Sequence, residues 1–276
     1  TDNELWIGTE SGVYIYNLRT EKYTHLRSSE YDPYSLSDNA IYSFCKDRED
    51  GIWIGSYFGG VNYYPRSYTY FEKYYPKGIE NSLHGKRVRE FCRDSQGILW
   101  IGTEDGGLNR FNLKTKDFSF FAPSAGFTNI HGLCLVDDKL WVGTFSKGLK
   151  VIDTRSGVVL KTYQKNDSPR SLIDNSIFAI CKTATGDIYL GTMFGLVRYN
   201  KQSDDFDRIP ELNGKFIYDI KEDSAGNIWL ATYANGVYCY NVNDRKWKNY
   251  VHDDKDNTSL PYNKVSSVFE DSHRQV

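Results

Sequence analysis

The chain has 276 residues, 39% hydrophobic and 25% charged, a balance that excludes wholesale disorder. Lys and Arg number 34 against 36 Asp and Glu, a formal charge of −2, so the footprint of a general nucleic-acid binder is missing. The longest apolar run, Ile177 to Cys181, is five residues, far below the roughly 18 of a membrane helix. No basic start followed by an apolar stretch marks a signal peptide, so for an exported protein that signal is expected to have been removed or to lie outside this piece.

The aromatic content is skewed: 22 Tyr, 15 Phe and 6 Trp against a single Met, with 23 Gly. Aromatic and β-branched residues separated by Gly, Asn, Asp and Ser favour strands and turns. In chain order one strand pattern recurs six times. It opens as Leu5-Trp6-Ile7-Gly8-Thr9, and returns as Ile52-Trp53-Ile54-Gly55-Ser56 and Leu99-Trp100-Ile101-Gly102-Thr103. It then continues as Leu140-Trp141-Val142-Gly143-Thr144, Ile188-Tyr189-Leu190-Gly191-Thr192 and Ile228-Trp229-Leu230-Ala231-Thr232. The anchor aromatics are spaced 47, 47, 41, 48 and 40 residues apart.

A period of this length with several short strands per unit predicts a β-propeller of four-stranded blades. The second unit is read as strands at 40–46, 51–56, 60–64 and 70–75. The Trp strands are apolar on both faces, as sheets buried between two others require. The small Gly after each Trp strand lets a neighbouring sheet approach closely. A sandwich or a single barrel needs no such repeat. The expectation is therefore all-β, one propeller domain over residues 1–276 with six repeats. The final segment, Lys264 to Asp271, aligns with the first strand of a unit. It either completes the N-terminal blade and closes a six-bladed ring, or the chain is part of a larger seven-bladed or double propeller.

The units Leu99 to Asn112 and Gly51 to Tyr64, with the connectors Asp32-Pro33-Tyr34-Ser35-Leu36-Ser37-Asp38-Asn39 and Ser168 to Asn175, resemble two-component regulator propeller repeats. The resemblance covers essentially the whole chain. It implies the periplasmic sensor region of hybrid two-component systems of Bacteroides-type bacteria. In such sensors two propellers, usually seven-bladed, precede a β-sandwich, a membrane helix, a histidine kinase and a DNA-binding output domain. By that resemblance the ligand is an oligosaccharide, and the partners are neighbouring propeller and β-sandwich domains of the same polypeptide and a second copy in a homodimer. The membrane is reached only through segments absent from this chain, and this region contacts no nucleic acid. The chain departs from the pattern in carrying six repeats and no sandwich, membrane helix or kinase.

Cys45, Cys92 and Cys181 lie eight residues before their anchors and Cys134 seven before. Equivalent residues on sheets ~10 Å apart are too distant for a disulfide, which needs Cα atoms within ~7 Å. With Cys239, all five are expected to be reduced, buried core residues. His25, His84, His131, His252 and His273 show no metal-binding spacing. The run Asp253-Asp254-Lys255-Asp256-Asn257 lacks the Gly and terminal Glu of a calcium loop and reads as a solvated connector. No metal or cofactor is expected. No nucleophile elbow, Walker loop or dinucleotide fingerprint is present. Asp47, Asp94, Asp223 and Asp271 recur at strand-to-strand turns, where side-chain to backbone hydrogen bonds explain them.

Repeated positions hold a fold, and positions that vary within a regular column are free to bind. On the innermost strands that column is Tyr42, Arg89, His131, Phe178, Tyr218 and Ser266. Asn39, Lys86, Thr128, Asn175, Lys215 and Asn263 enter these strands and are expected to ring one mouth of the channel. Tyr57, Phe58, Phe145, Met193, Phe194 and Tyr233 follow on the turns between second and third strands. Aromatic faces beside amides, an Arg and a His suit carbohydrate, since sugar C–H faces pack on rings and hydroxyls need directional partners. Arg89 and Lys86 also suit a carboxylate or sulfate. The candidate binding residues are Tyr42, Arg89, His131, Tyr218, Asn39, Asn175, Tyr57, Phe58, Phe145 and Tyr233, with no catalytic residue. A non-catalytic ligand sensor is the leading expectation. The alternatives are a docking propeller without a small ligand, or a glycan lyase or hydrolase.

Overall fold

The computed structural model describes residues 3–66, 72–121 and 127–276. They form two compact units, Thr1–Ile79 and Glu80–Val276. The first unit holds two three-stranded antiparallel sheets. One is β1 (Glu4–Thr9), β2 (Gly12–Asn17) and β3 (Tyr23–Leu26); the other is β4 (Ile41–Lys46), β5 (Ile52–Ser56) and β6 (Val61–Tyr64). The second unit holds four four-stranded antiparallel sheets. They are β7 (Val88–Arg93) to β10 (Phe118–Phe121), with β8 (Ile98–Thr103) and β9 (Gly107–Asn112); and β11 (Ile130–Val136) to β14 (Val159–Tyr163), with β12 (Lys139–Thr144) and β13 (Leu149–Asp153). The others are β15 (Ile177–Lys182) to β18 (Asp205–Arg208), with β16 (Ile188–Thr192) and β17 (Gly195–Asn200); and β19 (Ile217–Glu222) to β22 (Lys246–Tyr250), with β20 (Ile228–Thr232) and β21 (Val237–Asn241). Strands that follow in sequence pair in space throughout, and the fold is that of β-propeller blades, as the repeat predicts.

Each letter of the repeat has a physical task. The Trp indole closes the turn between first and second strands. Trp53 Nε1 donates to Asp47 Oδ2 at 3.0 Å, Trp100 to Asp94 at 2.9 Å and Trp229 to Asp223 at 2.8 Å. The other oxygen of each Asp accepts two amides of the same turn. Asp271 accepts the amides of His273 and Gln275 in the same way. The Thr closes the next turn. Thr144 Oγ1 donates to Gly148 O at 2.9 Å and accepts the Lys147 amide at 2.9 Å, and Thr9, Thr103, Thr192 and Thr232 repeat the pattern.

The Gly admits the following sheet. A Cβ on Gly143 would stand 2.7 Å from Ile177 Cγ2; on Gly102, 2.6 Å from Ile130; on Gly191, 2.7 Å from Ile217; and on Gly8, 2.8 Å from Ile41. Behind this contact the sheets of the second unit bury Trp141, Leu149, Val151, Ile177 and Leu190 in one interlayer cluster, and Trp100, Ile130, Leu140 and Val142 in another. Each buried Ile or Leu contributes roughly 1.5–3 kcal/mol. The Trp strands of this unit are buried along both faces, as expected.

Three expectations are corrected. Of the strand expected at 70–75, residues 70–71 lie outside the described residues, and 72–75 form no strand. The segment from Lys264 to Asp271 is also not a strand. It packs on its own unit, with Val265 and Val268 beside Ala231 and Val237. The cysteines are unpaired, but only Cys239 is buried; Cys92, Cys134 and Cys181 are half-buried and Cys45 is exposed. Their column lies near the end of the first strand, at the margin of the sheet. Partial burial still pushes the thiols of Cys92, Cys134 and Cys181 up to about 11.

Gly143→Val should lower stability by about 1–3 kcal/mol through overpacking. Measured by urea unfolding, Gly143→Val with Ile177→Ala should cost less than the sum of the single variants, because the truncation vacates the space the valine needs.

Candidate functional site

Every complete first strand carries a β-bulge at the same place. The register shifts between Ile41 and Ser43, Val88 and Glu90, Ile130 and Gly132, Ile177 and Ala179, and Ile217 and Asp219. The residue left without a ladder partner is Tyr42, Arg89, His131, Phe178 or Tyr218, the variable column read from the sequence. A bulge re-aims its side chain and frees it from pairing.

In the second unit these bulges converge. Arg89, His131, Phe178 and Tyr218 line a cavity of about 410 Å³, with Glu90, Asp219 and Lys221 from the same strands and Lys264, Ser266 and Ser267 from the C-terminal segment. A second hollow of about 270 Å³ shares His131, Phe178 and Tyr218 and adds Glu104, Asn129, Phe145, Met193 and Phe216. Rings form its wall. Phe178 lies 4.6 Å from His131, 4.5 Å from Phe216 and 5.5 Å from Tyr218. Phe216, Tyr218 and Tyr233 stack, with centroids 4.9, 5.5 and 6.0 Å apart. Lys264 Nζ stands 4.7 Å over Tyr233, and the Arg89 guanidinium 5.7 Å over Tyr218.

The charges are balanced locally. Arg89 Nε lies 3.4 Å from Glu104 Oε1. His131, 7% exposed, has Nε2 2.7 Å from Asn129 Oδ1, and its Nδ1 is buried with no partner among the described residues. Burial, and then the Arg89 charge, push its pKa down to about 4, so the ring is neutral at pH 7. Burial likewise raises the Glu90 carboxyl. Asp219 pins the C-terminal segment: its Oδ2 accepts Ser267 Oγ at 2.6 Å and the Val268 amide at 3.3 Å, while Lys221 Nζ lies 3.3 Å from Oδ1. The arrangement offers flat apolar rings beside fixed polar groups, which is binding chemistry. Among the described residues no three His, Cys, Asp or Glu groups gather to hold a metal.

The remaining sequence candidates fall elsewhere. Tyr42, Tyr57 and Phe58 cluster in the first unit: Tyr42 stacks on Tyr57 at 5.1 Å, Tyr57 meets Phe58 edge-on at 4.3 Å, and Phe58 is 87% exposed. Asn39 and Asn175 hold connectors, their Oδ1 atoms accepting the amides of Ser28 at 2.8 Å and Lys165 at 2.7 Å. Asn263 does the same for His252 at 2.8 Å. One residue further on than the expected column, Asn129 and Phe216 line the smaller hollow. The carbonyls of Ala40, Arg87, Asn129, Ser176 and Phe216 accept the amides that begin the outer turns. Asn129 and Phe216 were therefore missed by one position. Lys221, Lys264 and Glu104 carried no sequence signal.

Residues 35–58, 82–105 and 211–234 match the two component regulator propeller family. These three segments are similar to regulator propeller repeats, in line with the resemblance read from the sequence. No curated protein matches the chain. Among solved structures, the extracellular domain of the putative one component system BT4673 from B. thetaiotaomicron aligns at 20% identity and TM-score 0.59, over 98% of this chain and 35% of that one. PorZ, a bacterial surface component of the type-IX secretion system of Porphyromonas gingivalis, aligns at 15% identity and TM-score 0.55, over 98% of this chain and 43% of that one. Both share the fold, and this chain spans well under half the length of either.

Because the folded pKa of His131 lies below the ordinary 6.5, the unfolded chain binds its proton first as pH falls. Stability should therefore fall between about pH 6.5 and pH 4, by up to about 3 kcal/mol from this group. His131→Gln should flatten that part of the stability profile, measured by urea unfolding at a series of pH values.

Proposed function

We propose that this chain is a non-catalytic, periplasmic ligand-sensing region of a hybrid two-component regulator, and that the cavity of the second unit takes an oligosaccharide. The observation that carries this reading is the convergence of the bulged, variable residues Arg89, His131, Phe178 and Tyr218 on one cavity. Regulator propeller repeats support the sensor role. Among the described residues no helix is long and apolar enough to cross a membrane.

The ring wall packs the C–H faces of a pyranose, and the polar groups among the rings take its hydroxyls. Arg89 is already engaged by Glu104 and Lys221 by Asp219, so these charges are balanced within the protein and the cavity suits a neutral sugar. Signalling needs different affinity for two states. The segment pinned by Asp219 supplies that difference: a ligand touching both Tyr218 and Lys264 draws strand and segment together. In this reading the neighbouring propeller and β-sandwich domains, within a homodimer, pass the change towards the kinase.

Thermal unfolding against neutral and acidic oligosaccharides, with reducing-end assays on the same samples, tests the reading. A ligand at 100 times its Kd should stabilise by about 2.7 kcal/mol. Tyr218→Ala should abolish the shift. Silence with every sugar would favour a docking platform, and product formation would show an enzyme.

A further inference from the structure

The second unit has another cleft, at the opposite end of its sheets from the turns that carry Phe145 and Met193. It lies between the sheet β11–β14 and the sheet β15–β18, has a volume of about 580 Å³, and shares no residue with the cavity above.

Its inner border has more positive than negative charge. Lys182 Nζ lies 3.1 Å from Asp137 Oδ1 and Lys201 Nζ 3.9 Å from Oδ2. These two, with the nearby Lys139 charge, hold the Asp137 carboxyl below its usual range. One carboxylate, itself 64% exposed, thus serves three ammonium groups. Across the cleft Arg198 has its nearest carboxylates, Asp207 and Asp187, at 3.7 and 3.9 Å, beyond hydrogen-bond distance. Lys201 is also the charged member of its column: the equivalent residues in the other repeats are Leu18, Pro65, Leu113, Thr154 and Val242.

The outer border is fixed. Asp204 accepts Lys161 Nζ and Tyr163 Oη from one sheet and Tyr199 Oη, at 2.7 Å, from its own. This bridge ties the two sheets across the cleft, whose lining between the borders includes Trp141, Val151 and Ile188. A rigid, partly apolar hollow with unbalanced lysines at one end suits a ligand with an anionic head and a ring-sized body. Lysine and arginine bind oxyanions through charge-assisted hydrogen bonds.

We propose that this cleft is a second ligand site, binding a phosphate or sulfate monoester carried on a ring-sized polar molecule. The ester sits among Lys139, Lys182 and Lys201, and the ring extends towards Arg198.

Titration calorimetry with glucose 6-phosphate, glucose 6-sulfate, glucose and inorganic phosphate tests this. Either ester should bind saturably, at least tenfold more tightly than glucose or inorganic phosphate, and more weakly as salt rises. The double variant Lys139→Glu with Lys201→Glu changes two exposed side chains and should fold normally, yet lose at least tenfold in ester affinity. Tyr218→Ala should leave ester binding unchanged, so this site and the oligosaccharide reading fail separately. Esters no tighter than glucose, inorganic phosphate as tight as the esters, or full affinity in the double variant would each overturn the proposal.

Discussion

The structure depends on a place where a side chain is missing. Gly8, Gly102, Gly143 and Gly191 each leave room for the isoleucine of the next repeat, which approaches to within 2.6–2.8 Å of where a Cβ would stand. Close-packed interiors do not absorb an extra methyl group freely. The spacing of successive sheets is therefore set at this contact. The sixth repeat varies both partners together: Ala231 replaces the glycine, and the smaller Val265 packs beside it in place of isoleucine.

The same paired variation explains the one repeat whose anchor is not Trp. Tyr189 has no indole N–H to satisfy, and the turn before it carries Thr183 where four others carry Asp. Thr183 Oγ1 still accepts the Asp187 amide at 3.0 Å, so the turn closes without a carboxylate. The fourth repeat shortens that turn to Asp137 and Asp138, both at positive φ, which accounts for Cys134 lying seven rather than eight residues before its anchor. Departures from the repeat follow from hydrogen-bond needs rather than from drift.

Much of this was legible in the sequence. The Trp-x-Gly-Thr unit announces strands, turns and close sheet packing because each residue type has one local task. The variable column was legible too, since Arg89, His131, Phe178 and Tyr218 differ where neighbours repeat. Its cause was not, because a bulge is a property of two paired strands and leaves no mark in one. The expected mouth residues Thr128 and Lys215 stand one position before Asn129 and Phe216, which line the hollow. Asn39 and Asn175 looked like exposed binding amides because an amide that caps a connector and one that meets a ligand are the same residue in a sequence. Cys45 looked buried because strand position alone does not tell the middle of a sheet from its margin.

All sheets are meanders in which each strand pairs with its neighbour in sequence. Every ladder thus closes within one repeat, and loop closure is inexpensive at such short separations. Local topologies fold quickly, and repeat arrays nucleate in one unit and propagate to the next. A chain built this way does not need its far end in order to begin folding. It is suited to emerging gradually, from a ribosome or a translocation pore, with each finished sheet presenting its glycine as the seat for the one that follows.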